Sequence, residues 1–220
     1  MNQKKKKPWS YRRLCVLLGG VLLLLFLSAF EMHTPRQALR TAEQSHSLSP
    51  TKIVLQSDKP AGISFSNHQV DWMLSANETS LLFGYYQNNR LLFSTALDYD
   101  PSLPYCADTL GVGIGRTTFL HVFGAITAPE ITKIEITTDS RYVDVTNRQS
   151  YTLECRDMTY RNGNYYFVLP IDTSRSDFDS NLYIARIVLY DRSGQTREYT
   201  YDKPKVFSED YVQALQERSS

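Results

Sequence analysis

The side chains that could carry chemistry in this sequence are few and widely spaced. Cys106 could serve as a nucleophile, but none of His33, His46, His68 and His121 lies within four residues of another, and no Gly-x-Ser-x-Gly elbow positions a serine. The same spacing denies any one element a pair of imidazole ligands for a metal. His121 follows Leu120 in an apolar stretch, where a lone histidine either faces water or satisfies a hydrogen bond in the core. Gly111-Val112-Gly113-Ile114-Gly115 would let backbone N–H groups approach an anion. However, the third glycine falls one residue early for the dinucleotide fingerprint, no Gly-Lys-Ser/Thr follows, and the next residues read as strand. A strand edge with close backbone contact is the better reading of these glycines. Asp177-Phe178-Asp179-Ser180-Asn181 copies the first three ligand positions of a calcium loop. Leu182 then stands where glycine should follow and Val188 where a bidentate Glu is needed, so the stretch reads as a solvated turn. Asp98, Asp100 and Asp108, near Cys106, are the carboxylates a hydrolase would draw on, and Asn77-Glu78-Thr79 matches a glycosylation acceptor. No catalytic, cofactor or metal-ligand set is predicted.

The elements that would position these residues read as strands. Ser80–Tyr86 (SLLFGYY) and Arg90–Ala96 (RLLFSTA), joined through Gln87-Asn88-Asn89, form a hairpin pattern. Arg116–Ile126 has strand composition. In Ile131–Thr138, Ile134 and Ile136 alternate with Lys133 and Glu135, the mark of a strand with one wet face. Tyr151, Leu153 and Cys155 share a face, Asn162-Gly163-Asn164 signals a turn before YYFVLP, and Tyr183, Ala185, Ile187 and Leu189 fall on one side of the last long strand. Val70–Leu74 is ambiguous between strand and short helix. The stretch DYDPSLPYCADTLGVGIG, with its prolines and glycines, reads as the longest loop and carries Cys106. About ten short strands separated by turn signals predict an all-β fold: a single antiparallel, immunoglobulin-like β-sandwich over residues 52–205.

The address of that domain is written at the N-terminus. Leu14–Phe30 is uncharged and follows Lys4, Lys5, Lys6, Lys7, Arg12 and Arg13, which would hold the N-terminus in the cytoplasm while the rest of the chain is exported. Residues 1–13 then form a basic cytoplasmic segment, 14–30 a transmembrane signal anchor, 31–51 a stalk and 206–220 a tail in which Ser208–Gln216 could form a short helix. Cleavage as a secretory signal fits poorly, because Leu27 and Ala29 are not the small pair that such a site needs. Six of the 24 Lys and Arg precede the anchor, leaving 18 against 23 Asp and Glu, a balance of −5. A mildly acidic exported part argues against nucleic acid as a partner; the lipid bilayer, met through the helix, is the expected one.

Two cysteines, Cys106 and Cys155, fall in the exported part, where an oxidising compartment favours their pairing. A bond between them would close a loop of about 50 residues and contribute roughly 3–4 kcal/mol by restricting the unfolded chain. The alternative is two separate thiols, since bridging needs Cα atoms within about 7 Å.

The order of elements, with LLFGYYQNNRLLF, HVFGAITAPEITKIEI and LYDRSGQTREY behind a basic anchor, resembles a group of uncharacterised membrane-anchored β-domain proteins of Gram-positive envelopes. That resemblance implies an extracytoplasmic β-domain and carries over no catalytic residue. The expectation is therefore a binding or sensing module of the cell envelope with no enzymatic activity, perceiving a ligand or a protein partner there. A structural subunit of an envelope complex and a hydrolase using the three aspartates are the alternatives.

Overall fold

The structure, a computed structural model, describes residues 18–20, 34–57, 70–87, 89–114, 117–141, 148–171 and 182–204. The basic segment, the apolar run except Leu18–Gly20, the calcium-like stretch Asp177–Asn181 and the C-terminal tail lie outside the described residues. Among the described residues, no helix is long and apolar enough to cross a membrane.

Among the described residues, helix α1 (Pro35–Ser45) is followed by twelve strands. These are β1 (Lys52–Gln56), β2 (Asp71–Ala76), β3 (Ser80–Gln87), β4 (Arg90–Asp98), β5 (Tyr105–Ile114) and β6 (Thr117–Ile126). They are followed by β7 (Ile131–Ser140), β8 (Gln149–Glu154), β9 (Thr159–Arg161), β10 (Asn164–Pro170), β11 (Leu182–Asp191) and β12 (Thr196–Thr200). A single 3-10 turn, Cys155–Asp157, joins β8 to β9. The expected all-β, antiparallel character holds, and the sheets number three: β1-β2-β3-β4, β5-β6-β10-β9 and β12-β11-β7-β8.

The sheets stack with β5-β6-β10-β9 in the middle, and strand alternation decides which side chains each face receives. Leu120, Val122 and Ile126 of β6 and Phe167 of β10 pack against Ile134, Ile136, Ile187 and Leu189 of the third sheet. The intervening residues Phe123, Ala125 and Tyr166 turn the other way and meet Leu74, Leu81, Phe83 and Tyr85 of the first sheet. A sheet buried on both faces needs apolar side chains at successive positions rather than alternate ones. The same is true of β3 in the first sheet, where every residue from Ser80 to Tyr86 is buried.

The outer face of the first sheet is covered by α1. Thr34 caps the helix: its hydroxyl accepts the Gln37 N–H at 3.2 Å while Gln37 Oε1 accepts the Thr34 N–H at 2.9 Å, with Pro35 pre-set for the first turn. Ala38, Leu39 and Ala42 then face Met73, Leu82 and Tyr86. Residues 34–51 are thus part of the folded body and not the detached stalk the sequence suggests. Buried Glu43 fastens them by accepting the Thr51 N–H at 2.5 Å and the Thr51 hydroxyl at 2.8 Å. Polar composition concealed this docking because three small or aliphatic residues on one face suffice to seat a short helix.

The segment read as the longest loop also differs. From Tyr105 to Ile114 it is a ten-residue strand paired without interruption to β6. Intrinsic β-propensity is weak and yields to the neighbours a strand meets, so small residues opposite large ones, such as Gly111 opposite Leu120, are accommodated. Gly124 shows the constraint directly, because a Cβ there would lie 2.5 Å from the Cys106 carbonyl oxygen and 2.7 Å from the Phe167 ring.

Candidate functional site

The two cysteines settle on opposite sides of the middle sheet. Cys106 points toward the first sheet and packs with Phe123 and Tyr166, whereas Cys155 lies in the core shared with the third sheet. Both are free and buried, so the expected disulfide is not formed. A bond would have to pass through the hydrogen-bonded layer of β5, β6 and β10. Burial, then the carboxylates of Asp108 and Asp98, push the Cys106 thiol up to about 12; burial pushes Cys155 up to about 11. Neither is a thiolate at neutral pH, which removes the reactive form needed for nucleophilic attack.

The three aspartates weighed for hydrolysis do not converge. Asp98 accepts the Ser80 hydroxyl at 2.8 Å at the end of β4. Asp100 turns onto Ser102, whose hydroxyl and N–H hold its carboxyl below the ordinary range. Asp108 is raised by burial, with the Thr109 N–H and the Arg141 charge acting against the rise. Gly111 and Gly113 lie within β5, paired with Leu120 and Thr118 of β6. Among the described residues no three His, Cys, Asp or Glu side chains gather where a metal could be held.

His121 is the sequence candidate with the most defined surroundings. Its Nδ1 is 2.8 Å from the Tyr85 hydroxyl, which is itself 2.8 Å from the Leu110 carbonyl oxygen. A carbonyl can only accept, so Tyr85 donates to Leu110 and His121 must donate its Nδ1–H to Tyr85. Burial lowers the imidazole to about 4, so it is neutral at physiological pH. Trp72 and Phe83 lie against it, each with ring centroids 5.8 Å away. It is a satisfied core histidine.

A concavity of about 970 Å³ lies at one end of the first and middle sheets. Five turns and links build it, the first being the α1–β1 link with Ser49 and Pro50 leading to Lys52. The β2–β3 turn contributes Glu78 and Thr79, the β4–β5 link Tyr99 and Asp100, the segment after β6 Thr127, and the β9–β10 turn Asn162 and Asn164. Each is locally determined. Asn77 closes the β2–β3 turn by accepting the N–H groups of Thr79 and Ser80 at 2.9 and 2.8 Å, and its amide donates to the Ser49 carbonyl oxygen. The glycosylation pattern is therefore also a turn signal, with its amide engaged. Asn162 and Gly163 take φ of +50° and +87°, the left-handed pair that a two-residue hairpin requires.

Chemically the cleft is polar and nearly balanced, with Lys52 opposed by Glu78 and Asp100. At its base Asn164 Nδ2 donates to the fully buried Tyr166 hydroxyl at 3.3 Å. The neighbouring Tyr99 hydroxyl is closed off from solvent beside these two groups, without hydrogen-bond geometry to either. Of the residues singled out from the sequence, Asn77, Glu78, Thr79 and Asp100 line the cleft, whereas Asp98, Asp108, Cys106, Cys155 and His121 do not. Lys52, Tyr99, Thr127, Asn162, Asn164 and Tyr166 come from segments far apart in sequence, and only their polar turn composition hints at a shared surface.

Compared with known protein families, with curated proteins and with solved structures, the chain matches none.

Proposed function

We propose that this chain is a membrane-anchored binding module of the cell envelope, in which an immunoglobulin-like sandwich carries an added sheet and the cleft between them takes the ligand. The observation that carries the reading is the cleft itself, a polar concavity near the upper end of the ~300–1,000 Å³ usual for ligand sites. Support for the sandwich comes from strand order: β5-β6-β10-β9 against β12-β11-β7-β8 corresponds strand for strand to the ABED and GFCC′ sheets of immunoglobulin-type domains. In such domains the loops at one end form the binding surface. Here the β6–β7 and β9–β10 connections contribute to the cleft at that end.

The address rests on the uncharged Leu14–Phe30 run behind six basic residues. The non-enzymatic reading rests on the protonated thiols, the neutral His121 and the dispersed aspartates, which among the described residues leave no acid, base and nucleophile within reach of one point.

Two measurements test it. Protease added to wall-stripped cells should degrade the β-domain and spare the basic segment; protection of both would refute the topology. Full-length protein in lipid nanodiscs should co-sediment with isolated envelope material. Glu78→Trp, at the exposed rim of the cleft, should abolish co-sedimentation without lowering Tm. Unchanged co-sedimentation would remove the cleft from the function.

A further inference from the structure

The chemistry lining the cleft restricts what can occupy it, and this inference rests on the binding-module reading above. An anion meets two carboxylates against one ammonium, and Asp100 is kept ionised by its bonds from Ser102, so phosphate-bearing or carboxylate-rich ligands are repelled on balance. A divalent cation lacks ligands, because one oxygen of Asp100 is already committed to Ser102 and no third carboxylate, imidazole or thiolate joins the pair. A wholly apolar ligand is disfavoured: Ala76, Leu103, two prolines and the rings of Tyr99 and Tyr166 supply apolar wall, but about half of the lining is amide, hydroxyl or charged surface that would lose water without gaining a partner.

What remains is a neutral molecule that donates and accepts hydrogen bonds along its length. The amide of Asn162, the hydroxyl of Thr127 and the two carboxylates line the cleft and between them can donate to and accept from hydroxyl groups. We infer that the cleft binds a neutral oligosaccharide segment, with the Tyr99 hydroxyl at its base as the deepest polar contact. That hydroxyl is closed off from solvent, with Tyr166 and Asn164 as its polar neighbours but no well-formed bond to either, so a ligand hydroxyl or a ligand-bound water that reaches it adds a bond. Tyr99 lines the cleft and is half-buried as a residue, its hydroxyl lying at the closed end. The volume accommodates several linked rings rather than one, and the cleft opens to solvent, as an internal segment of a longer chain requires.

Saturation-transfer NMR on the full-length protein in lipid nanodiscs tests this. The probes are a tetramer of N-acetylglucosamine, a tetramer of glucose, a lysine-containing tetrapeptide and inorganic phosphate. The expected result is transfer to at least one tetrasaccharide, with affinity reduced fivefold or more by Tyr99→Phe and lost in Glu78→Trp. Tyr99→Phe removes only a hydroxyl without a well-formed bond, so its Tm should equal or exceed the wild type, and weaker binding then reports the ligand and not the fold. Transfer to the peptide or to phosphate but to neither saccharide would overturn the saccharide assignment and leave the cleft as a site. Saccharide binding unchanged in both variants would place the sugar elsewhere and overturn the inference. Transfer to none of the four probes, with envelope co-sedimentation still abolished by Glu78→Trp, would sink the inference alone. Indifference of co-sedimentation to that variant would sink the functional reading with it.

Discussion

The two cores on either side of the middle sheet are built from different side chains. Between the middle and third sheets the packing is mainly aliphatic, with Ile134, Ile136, Ile187 and Leu189 completely buried and Phe167, Tyr105 and Cys155 beside them. Between the first and middle sheets it is aromatic. Phe83 stacks on Phe123 at 4.6 Å between centroids, Tyr85 meets Phe83 edge-on at 5.4 Å, and the Tyr85–His121 bond is enclosed among them. Branched aliphatic side chains interdigitate in many registers and contain nothing that titrates. Large rings bury more surface each and bring polar handles that must find partners. The aromatic core therefore makes stability depend on pH and on particular hydrogen bonds, while the mainly aliphatic core makes it depend chiefly on volume, burial keeping its Tyr105 and Cys155 neutral at ordinary pH.

That contrast can be broken experimentally, beginning with the largest effect. Phe83→Ala should cost about 3–5 kcal/mol by removing a fully buried ring and its stack on Phe123, as read from the denaturant midpoint. A loss under about 1 kcal/mol would mean that the first sheet contributes little to the cooperative unit.

Next comes pH. His121 is lowered to about 4 in the folded protein, against an ordinary value of 6.5. The unfolded chain therefore binds the proton first as pH falls, so the histidine's contribution is complete above pH 6.5 and lost as pH drops toward 4. The loss is about 3 kcal/mol by linkage. His121→Gln, which can donate the same bond without titrating, should flatten that part of the stability–pH curve. Parallel curves would place the acid sensitivity elsewhere.

Tyr85→Phe should cost about 1–3 kcal/mol, because it leaves the Leu110 carbonyl and the His121 N–H without their shared partner inside the core. In the aliphatic core Ile134→Val should cost only about 0.5–1.5 kcal/mol and leave the pH dependence unaltered. A pH-dependent cost there would erase the distinction between the cores. The smallest effect concerns the thiols: adding reductant should leave Tm unchanged, and non-reducing peptide mapping should find Cys106 and Cys155 unlinked. A linked pair would require the middle sheet to be rearranged.

Much of the fold was legible wherever local chemistry and tertiary environment agree. The β3–β4 hairpin, the alternation of Ile134 and Ile136 and the Asn162-Gly163 turn all follow from short-range sterics and binary pattern, and each appears where the residues place it. Strand β5 was obscured because its glycines, and Pro101 and Pro104 just before it, carry loop statistics, and only pairing with β6 makes it a strand. Helix α1 carries a readable Thr34–Gln37 cap, but the sheet that buries Ala38 and Ala42 is formed by strands starting at Lys52 and beyond. The cleft was the least legible feature. Its turns were each predictable, yet nothing within any one of them says that the others lie beside it.

The sequence by itself determined that this chain makes antiparallel strands and where most turns fall, since backbone dihedral preferences and the two-residue period act over a few residues. Only the tertiary structure decided how many sheets those strands form and which core each face enters. A strand's alternation says that Tyr105 and Cys106 point opposite ways, but not which of the two meets the first sheet. That choice depends on contacts between residues far apart in the chain, and here it put the two cysteines on opposite sides of a closed layer of hydrogen bonds.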